Sequence, residues 1–225
     1  ERPIGKENDA CGYHVSRETE LTTPKGAVHI RTYCPPDFIT KLEFDEGIGV
    51  FPQYRSIIRD KGSLVNIATQ KDGNVVLAHT DNEWIVGYIA LTYPDRLERW
   101  SKCGDDLIYE LGSIEVSKNW RRLGIAEEMV QLTFADDWFE DKIVVSTGYA
   151  WHWDLEGTGL IKTKYRVMLM RLFGLVNFQH VYTDEPNITM DLANVLLARI
   201  GSRVRNEDVS RFYDLLFEKR EEYEF

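Results

Sequence analysis

The segment from Leu107 to Phe134 combines a predicted strand, a basic turn and a predicted helix. The apolar run Leu107–Val116 predicts a buried strand, and the apolar spacing after Arg121 predicts an amphipathic helix. The turn between them contains two arginines and two small residues: Arg121, Arg122, Gly124 and Ala126. The N–H groups of a first helical turn have no partners inside the helix, and the helix dipole adds roughly half a positive charge there. Since small residues also let a ligand approach the backbone, the segment predicts a site for a phosphate-bearing ligand.

Glu110, on the predicted strand, is the first candidate for a catalytic base. Because side chains alternate along a strand, Glu110 and Glu115 are expected on opposite faces. Glu110 then shares its face with apolar or small residues: Ile108, Gly112, Ile114 and Val116. An ionised carboxylate there is costly without a function or a partner, and desolvation raises its pKa towards the range of a general base. The alternative is a structural ion pair between Glu110 and an arginine.

His152 is the second candidate, in an aromatic segment after the predicted strand Lys142–Thr147. Its unperturbed pKa near 6.5 suits acid–base chemistry, and it is flanked by Trp151 and Trp153. The alternative is an aromatic plug in which the histidine is simply hydrogen-bonded. Asp154 could orient Glu110 or His152. Cys103 lies in a polar loop with no histidine nearby in sequence, which argues against a covalent intermediate on its thiol.

The elements that must position these residues follow from apolar periodicity and turn signals. Strands are predicted at Gly26–Tyr33, Leu64–Thr69, Val75–His79, Trp84–Tyr93, Leu107–Val116, Lys142–Thr147 and His180–Thr183. Helices are predicted at Pro36–Phe44, Pro52–Asp60, Arg121–Phe134, Lys162–Leu175 and Met190–Ile200, with a last one capped by Asn206. Gly87 predicts a bulge or a close backbone approach. This order predicts an α/β (α+β) fold with a mixed central sheet flanked by helices.

We divide the chain into a polar N-terminal tail over 1–24, one domain over 25–203 and a C-terminal amphipathic helix with its tail over 204–225. The 225 residues suffice for one full core, and the net charge of −10 argues against nucleic acid as a partner. The three cysteines are widely spaced and show no metal-ligand pattern, which favours a reducing compartment and no metal. Without a signal peptide or an 18-residue apolar run, we expect a cytoplasmic protein without membrane contact.

The R-x-x-G-x-A pattern from Arg121 to Ala126 resembles the acyl-CoA-binding motif of the GNAT acetyltransferases. By itself this pattern is weak, and the alternative is a strand–helix turn with surface arginines; the strand before it and the helix after it strengthen it. The resemblance implies an acetyl-CoA-dependent N-acetyltransferase with a splayed strand pair. In that family the turn backbone binds the coenzyme pyrophosphate, here Arg121, Arg122, Leu123, Gly124, Ile125 and Ala126. The strand before it holds the pantetheine arm, here Ile114, Glu115 and Val116.

The same resemblance bears on the acid–base groups. Glu110 lies eleven residues before Arg121, which is the spacing of the base in histone-type lysine acetyltransferases of the family. The tyrosine with which many members protonate the thiolate corresponds to Leu197, so that acid is missing; Tyr182 is another possible donor. Asn194 lies with Leu197 in the predicted helix Met190–Ile200, and it could contact the pantetheine arm or lie on the surface.

Four blocks resemble the acetoin-utilisation branch of the family: 93–100, 106–116, 149–155 and 193–201. The resemblance implies a protein lysine acetyltransferase that modifies and inactivates acetyl-CoA synthetase. Two alternatives stay open. The chain could acetylate a small amine, or it could be a non-catalytic regulator that binds acyl-CoA and sequesters acetyl-CoA synthetase.

Overall fold

The computed structural model describes residues 14–49, 60–104 and 106–217. Within these residues, nine strands form one sheet, in the spatial order β1-β2-β4-β5-β6-β7-β9-β8, with β3 paired to β5. The strands are β1 (Glu18–Thr23), β2 (Gly26–Arg31), β3 (Glu43–Phe44), β4 (Asn74–Thr80), β5 (Trp84–Thr92), β6 (Ile108–Val116), β7 (Ile143–Gly148), β8 (Gln179–Val181) and β9 (Val195–Ile200). Most neighbours are antiparallel, but β6 and β7 run parallel in the middle of the sheet. The α/β fold with a mixed sheet is therefore confirmed.

Helices cover both faces of this sheet. They are α1 (Pro36–Lys41), α2 (Lys61–Ala68), α3 (Ile125–Phe134), α4 (Leu155–Thr158), α5 (Lys162–Gly174), α6 (Pro186–Thr189) and α7 (Asn206–Leu215). On one face α3 and α5 pack through Met129 and Phe173 onto the largest apolar cluster. On the other face α1 and α2 cover β4 and β5, and α7 buries Phe212 near β7 and β9. Within the described residues, no helix is both long and apolar enough to cross a bilayer.

Two predicted elements have the wrong type. The predicted strand Leu64–Thr69 is part of α2, whose first turn is capped by the Asp60 carboxylate, which accepts from Ser63 N at 3.0 Å. The predicted helix Met190–Ile200 is a turn followed by β9, which pairs with β7 and β8. Short apolar runs do not distinguish a buried strand from a helix by periodicity, and β9 is buried on both faces like a central strand. The predicted helix from Pro52 falls almost wholly on residues 50–59, outside the described ones.

The chain ends also differ from expectation. The polar tail predicted over 1–24 contains β1, which forms an edge antiparallel to β2. The apolar signal was weak because the outer face of an edge strand is solvated and carries polar side chains. Residues 1–13 lie outside the described part of the chain. At the other end α7 begins at Asn206 but its cap residue is Arg205, without a side-chain cap bond, so the predicted asparagine cap is wrong.

Gly87 meets both expectations placed on it. The β4–β5 register shifts between Ala78 and His79, so β5 contains an extra residue next to Gly87. A side chain at Gly87 would lie 3.1 Å from the Met129 methyl carbon and 3.2 Å from the Glu115 carbonyl oxygen. Glycine here allows α3 to pack closely on the sheet.

Candidate active site

The parallel strands β6 and β7 separate halfway along their length. They pair from Ile108 opposite Ile143 to Glu110 opposite Val145, and the described structure has no ladder pair between them after that. The gap opens into a cavity of about 1420 Å³ lined by β6, β7, the start of α3 and α5. Backbone groups of Leu111–Val116 that point towards β7 are therefore available to a ligand. The Ser146 hydroxyl, which donates to the Leu111 carbonyl oxygen at 3.0 Å, occupies one of them.

A β-bulge at Gly112 changes which way the side chains of β6 point. Ser113 pairs with Ala90 and Leu111 with Leu91, so Gly112 has no partner on β5. A bulge places two consecutive residues on one side and shifts the alternation of all that follow. Ile114 and Val116 pack with Leu111 on the α3 side, whereas Ile108 packs on the opposite side.

The predicted arrangement of the two glutamates is therefore wrong. Glu115 points away from α3, because it accepts from the Tyr88 hydroxyl at 2.7 Å and Tyr88 packs under α1 and α2. Glu110 precedes the bulge and shares the face of Ile108, so both carboxylates lie on the sheet face opposite α3. Alternation alone predicted Glu110 on the same face as Ile114 and Val116, because no sequence signal indicates the extra residue of the bulge.

The turn before α3 has a strained backbone that exposes its N–H groups. Arg122 has φ 64° and Gly124 has φ 80°, both in the left-handed region. Gly124 is the cap residue of α3 and no side chain caps the helix. A Cβ atom at Gly124 would meet nothing within 4 Å, so space for a ligand lies directly beside the turn. The first N–H groups of α3, from Ile125, Ala126 and Glu127, have no partners inside the helix and belong to residues at the cavity wall, which is an arrangement that can bind an anion.

An ion pair fixes this turn to the segment after β7. Arg121 Nη1 donates to Asp154 Oδ2 at 2.5 Å, and Arg121 Nε donates to the Val116 carbonyl oxygen at 3.3 Å. The Asp154 carboxylate is buried and also caps α4, accepting from Gly157 N at 2.8 Å. Asp154 therefore positions Arg121, and not Glu110 or His152 as the sequence suggested.

Most of the residues predicted to bind the coenzyme line the cavity: Ile114, Glu115, Val116, Arg121, Arg122, Gly124, Ile125 and Ala126. Leu123 does not; its side chain packs against the main apolar cluster. Asn194 is buried and is not among the residues that line the cavity. Its Oδ1 accepts from Ala150 N at 2.8 Å and its Nδ2 donates to the Asn187 carbonyl oxygen at 2.7 Å, so it holds two loops together.

Glu110 lies at the point where β6 and β7 separate. Its burial raises its pKa to about 7, and the nearby negative charges of Glu98 and Asp95 add to the rise. Among the described residues no cation forms an ion pair with Glu110, in contrast to the structural pairing considered as its alternative. The carboxylate thus has the protonation equilibrium of a general base near neutral pH.

His152 and Tyr149 occupy the cavity wall after β7. His152 is exposed and its ring packs edge-on against Tyr149 and Trp151, at 6.0 and 5.9 Å between centroids. Partial desolvation lowers the pKa of His152, so the ring is neutral at pH 7. Burial and the negative charges of Glu185, Glu98 and Glu110 raise the pKa of Tyr149 to about 12, against a hydrogen bond from Thr147 that lowers it. Tyr149 was missed, although it opens the aromatic segment noted in the sequence.

Two cations of α5, Lys164 and Arg171, also line the cavity and were missed. Their seven-residue spacing, which places them on one helix face, was the available signal. Among the described residues, no group of three histidine, cysteine, aspartate or glutamate side chains could hold a metal ion.

Comparisons with known proteins agree with this geometry. Residues 37–150 match the Acetyltransferase (GNAT) family. The acetoin utilization protein AcuA of Bacillus licheniformis is 34% identical over 208 residues, which cover 92% of this chain and 96% of that protein. AcuA of Bacillus subtilis is 33% identical over 94% of this chain and 97% of that protein. The crystal structure of an acetoin utilization protein from Exiguobacterium sibiricum superposes with a TM-score of 0.83 and 32% identity, covering 90% of this chain and 94% of that one.

Proposed function

The chain belongs to the GNAT family of N-acetyltransferases, and from this premise we propose that it transfers acetyl from acetyl-CoA to a lysine side chain of a protein. The observation that carries the proposal is the gap between β6 and β7. It has an anion-binding helical turn at one end and a desolvated carboxylate, Glu110, at the other. The two ends match the two ends of a thioester donor: its pyrophosphate and its reacting carbonyl.

The coenzyme would bind along the α3 side of this gap. Its pyrophosphate accepts hydrogen bonds from the free N–H groups of Gly124–Glu127, and the positive end of the helix dipole adds to the attraction. The amides of the pantetheine arm pair with the open edge of β6 at Ile114–Val116, as an additional strand would. Arg121 is already bonded to Asp154, so its main contribution is to hold the turn in place.

The acceptor amine would reach the thioester from the opposite sheet face, where Glu110 lies. A free lysine has a pKa near 10.4, so deprotonating it at pH 7 costs roughly 4–5 kcal/mol. Glu110 removes that proton, directly or through a water molecule. The amine then attacks the carbonyl carbon, a C–N bond forms and the C–S bond breaks. Tyr149, which its raised pKa keeps protonated, donates a proton to the departing thiolate and regains one when the nitrogen of the new amide loses its second proton.

The electrostatics around Glu110 favour a cationic acceptor. Glu98 and Asp95 act as negative charges on Glu110, and Glu98 and Glu185 act as negative charges on Tyr149. A lysine ammonium is attracted to such a surface before it loses its proton. The net charge of −10 extends the same preference to a basic region of a partner protein.

We further propose that the acceptor protein is acetyl-CoA synthetase and that acetylation inactivates it. The support is the similarity to proteins named for acetoin utilization. We extend to this chain the target that this resemblance implies. A small free amine is the rival acceptor. A regulator that only binds acyl-CoA and sequesters the synthetase is the rival without catalysis.

One experiment separates these possibilities. The protein is incubated with acetyl-CoA and acetyl-CoA synthetase, and acetyl-lysine is mapped by mass spectrometry. We expect a specific modified lysine with the native chain and none above background with Glu110→Gln. Inhibition of the synthetase that survives in Glu110→Gln would support the sequestering regulator, and acetylation of free amines alone would support the small-amine enzyme.

A further inference from the structure

The outer wall of the cavity carries exposed cations and exposed apolar side chains on one face of α5. Lys164 and Arg171 are exposed and both line the cavity. Val167 and Met168 lie between them in sequence, line the same cavity and are 46% and 38% exposed. At 1.5 Å per residue, the two cations are about 10 Å apart along the helix axis, so their long side chains can converge on one group.

These cations are unlike the other basic residues of α5. Lys162 donates to Asp191 at 2.5 Å, and Arg166 donates to the Leu192 carbonyl oxygen at 3.0 Å. For Lys164 and Arg171, the described residues provide neither a hydrogen-bond acceptor nor an ion-pair partner. In a chain with a net charge of −10, two unpaired cations next to an apolar surface on a cavity wall favour an anionic ligand with an apolar part.

We propose that Lys164 and Arg171 bind the 3′-phosphate of coenzyme A, with Val167 and Met168 against its adenosine. This inference rests on the proposed function, which places the pyrophosphate at the first turn of α3. The pantetheine arm leaves the pyrophosphate towards the gap in the sheet, so the adenosine leaves it in the other direction, along the part of the cavity that α5 lines. The 3′-phosphate is a dianionic monoester, which guanidinium binds with a two-pronged geometry and ammonium as a point charge.

The test compares coenzyme A with 3′-dephospho-coenzyme A by isothermal titration calorimetry. The native chain, Lys164→Gln, Arg171→Gln and the double variant are titrated with both ligands. Lys162→Gln is the matched control, because it removes a cation from the same helix that is paired outside the cavity. We expect the native chain to bind coenzyme A about 10- to 100-fold more tightly than the dephospho form, the range for charge-assisted hydrogen bonds. In the double variant this ratio falls below about threefold while the affinity for the dephospho form is unchanged.

Three outcomes would overturn the subsite. The first is equal affinity of the native chain for both ligands. The second is a double variant that keeps the native ratio of the two affinities. The third is a double variant that loses affinity for both ligands by the same factor. The subsite can fail while both ligands still bind, which leaves the proposed function intact. Failure of the native chain to bind either ligand would contradict the proposed function itself, so the two failures are distinguishable. Thermal melts of all variants serve as the folding control, and we expect unchanged melting temperatures because both side chains are exposed.

Discussion

Replacement of Glu110 by glutamine tests the base and its environment at once. Glutamine keeps the size and hydrogen-bonding capacity of a protonated glutamate but cannot ionise. In the native chain burial raises the pKa of Glu110 from 4.5 to about 7. Between pH 4.5 and about pH 7 the folded protein therefore keeps a proton on Glu110 that the unfolded chain has already released.

The sign and size of the stability effect follow by linkage. Below pH 4.5 Glu110 is protonated in both the folded and the unfolded chain, so its burial does not lower the free energy of unfolding relative to Glu110→Gln. As the pH rises from 4.5 to 7 the unfolded chain ionises first, so the native protein loses stability relative to Glu110→Gln. The full difference corresponds to roughly 3 kcal/mol, or about 6–12 °C in Tm for a chain of this size. Above pH 7 the difference stays constant.

The assay is denaturant or thermal unfolding of both proteins at a series of pH values from 4.5 to 8. Other titrating groups cancel in the difference between the two proteins. Glu46→Gln is the matched control, because it makes the same chemical change at an exposed site. In parallel, the native rate with a lysine acceptor should rise through pH 7, and Glu110→Gln should lose about 10²–10⁴-fold.

A stability difference between the two proteins that stays flat across this pH range would refute the desolvated carboxylate. Full activity of the variant would refute the base, whatever the stability data show. Lost activity with a flat stability difference would separate the two claims, because it would indicate a base whose pKa is set only when the acceptor binds.

Three further substitutions test the rest of the site. Gly124→Asp should weaken coenzyme A binding at least about tenfold in calorimetry, because it places a carboxylate beside the pyrophosphate and strains a residue at positive φ; unchanged affinity would contradict the assigned turn. Asp154→Asn leaves Arg121 without its buried partner, so it should destabilise the fold by about 1–3 kcal/mol in thermal melts. It should also raise KM for acetyl-CoA more than it lowers kcat. Equal KM values for the variant and the native chain would argue against a positioning role. Tyr149→Phe should lower kcat about tenfold or more at constant KM, whereas Tyr182→Phe, at a 76% exposed site, should have no effect; similar rates for both would exclude Tyr149 as the acid.

The sequence predicted well the strand, turn and helix that surround the proposed coenzyme site. A long apolar strand, a turn with small residues and a periodic helix are local signals, and β6, the turn and α3 follow them closely. The left-handed backbone at Gly124 is the physical reason for a glycine at that position. Because the N–H groups of a helical turn are a property of the backbone, this part of the site needs no long-range information.

The surroundings of Glu110 could be predicted only in part, because they depend on contacts distant in sequence. Glu110 acquires its environment from Glu98 and Asp95, and its face from a bulge that only the pairing with β5 reveals. Asn194 was placed on a helix because Val195–Ile200 is a short apolar run, and its pairing with β7 decided otherwise. The link between Arg121 and Asp154 spans two elements and has no local signature.

The bulge at Gly112 also changes how the distance between Glu110 and Arg121 should be measured. Gly112 lies between them and has no partner on β5, so the number of residues along the chain is one larger than the number of positions along the paired strand. A strand with the same count but without the bulge would direct its carboxylate into the space of the coenzyme. Alignments that transfer a base between acetyltransferases by counting from the arginine therefore need the strand register as well. Deleting Gly112 would make Leu111 and Ser113 neighbours, which removes the bulge while every remaining side chain of β6 keeps its face.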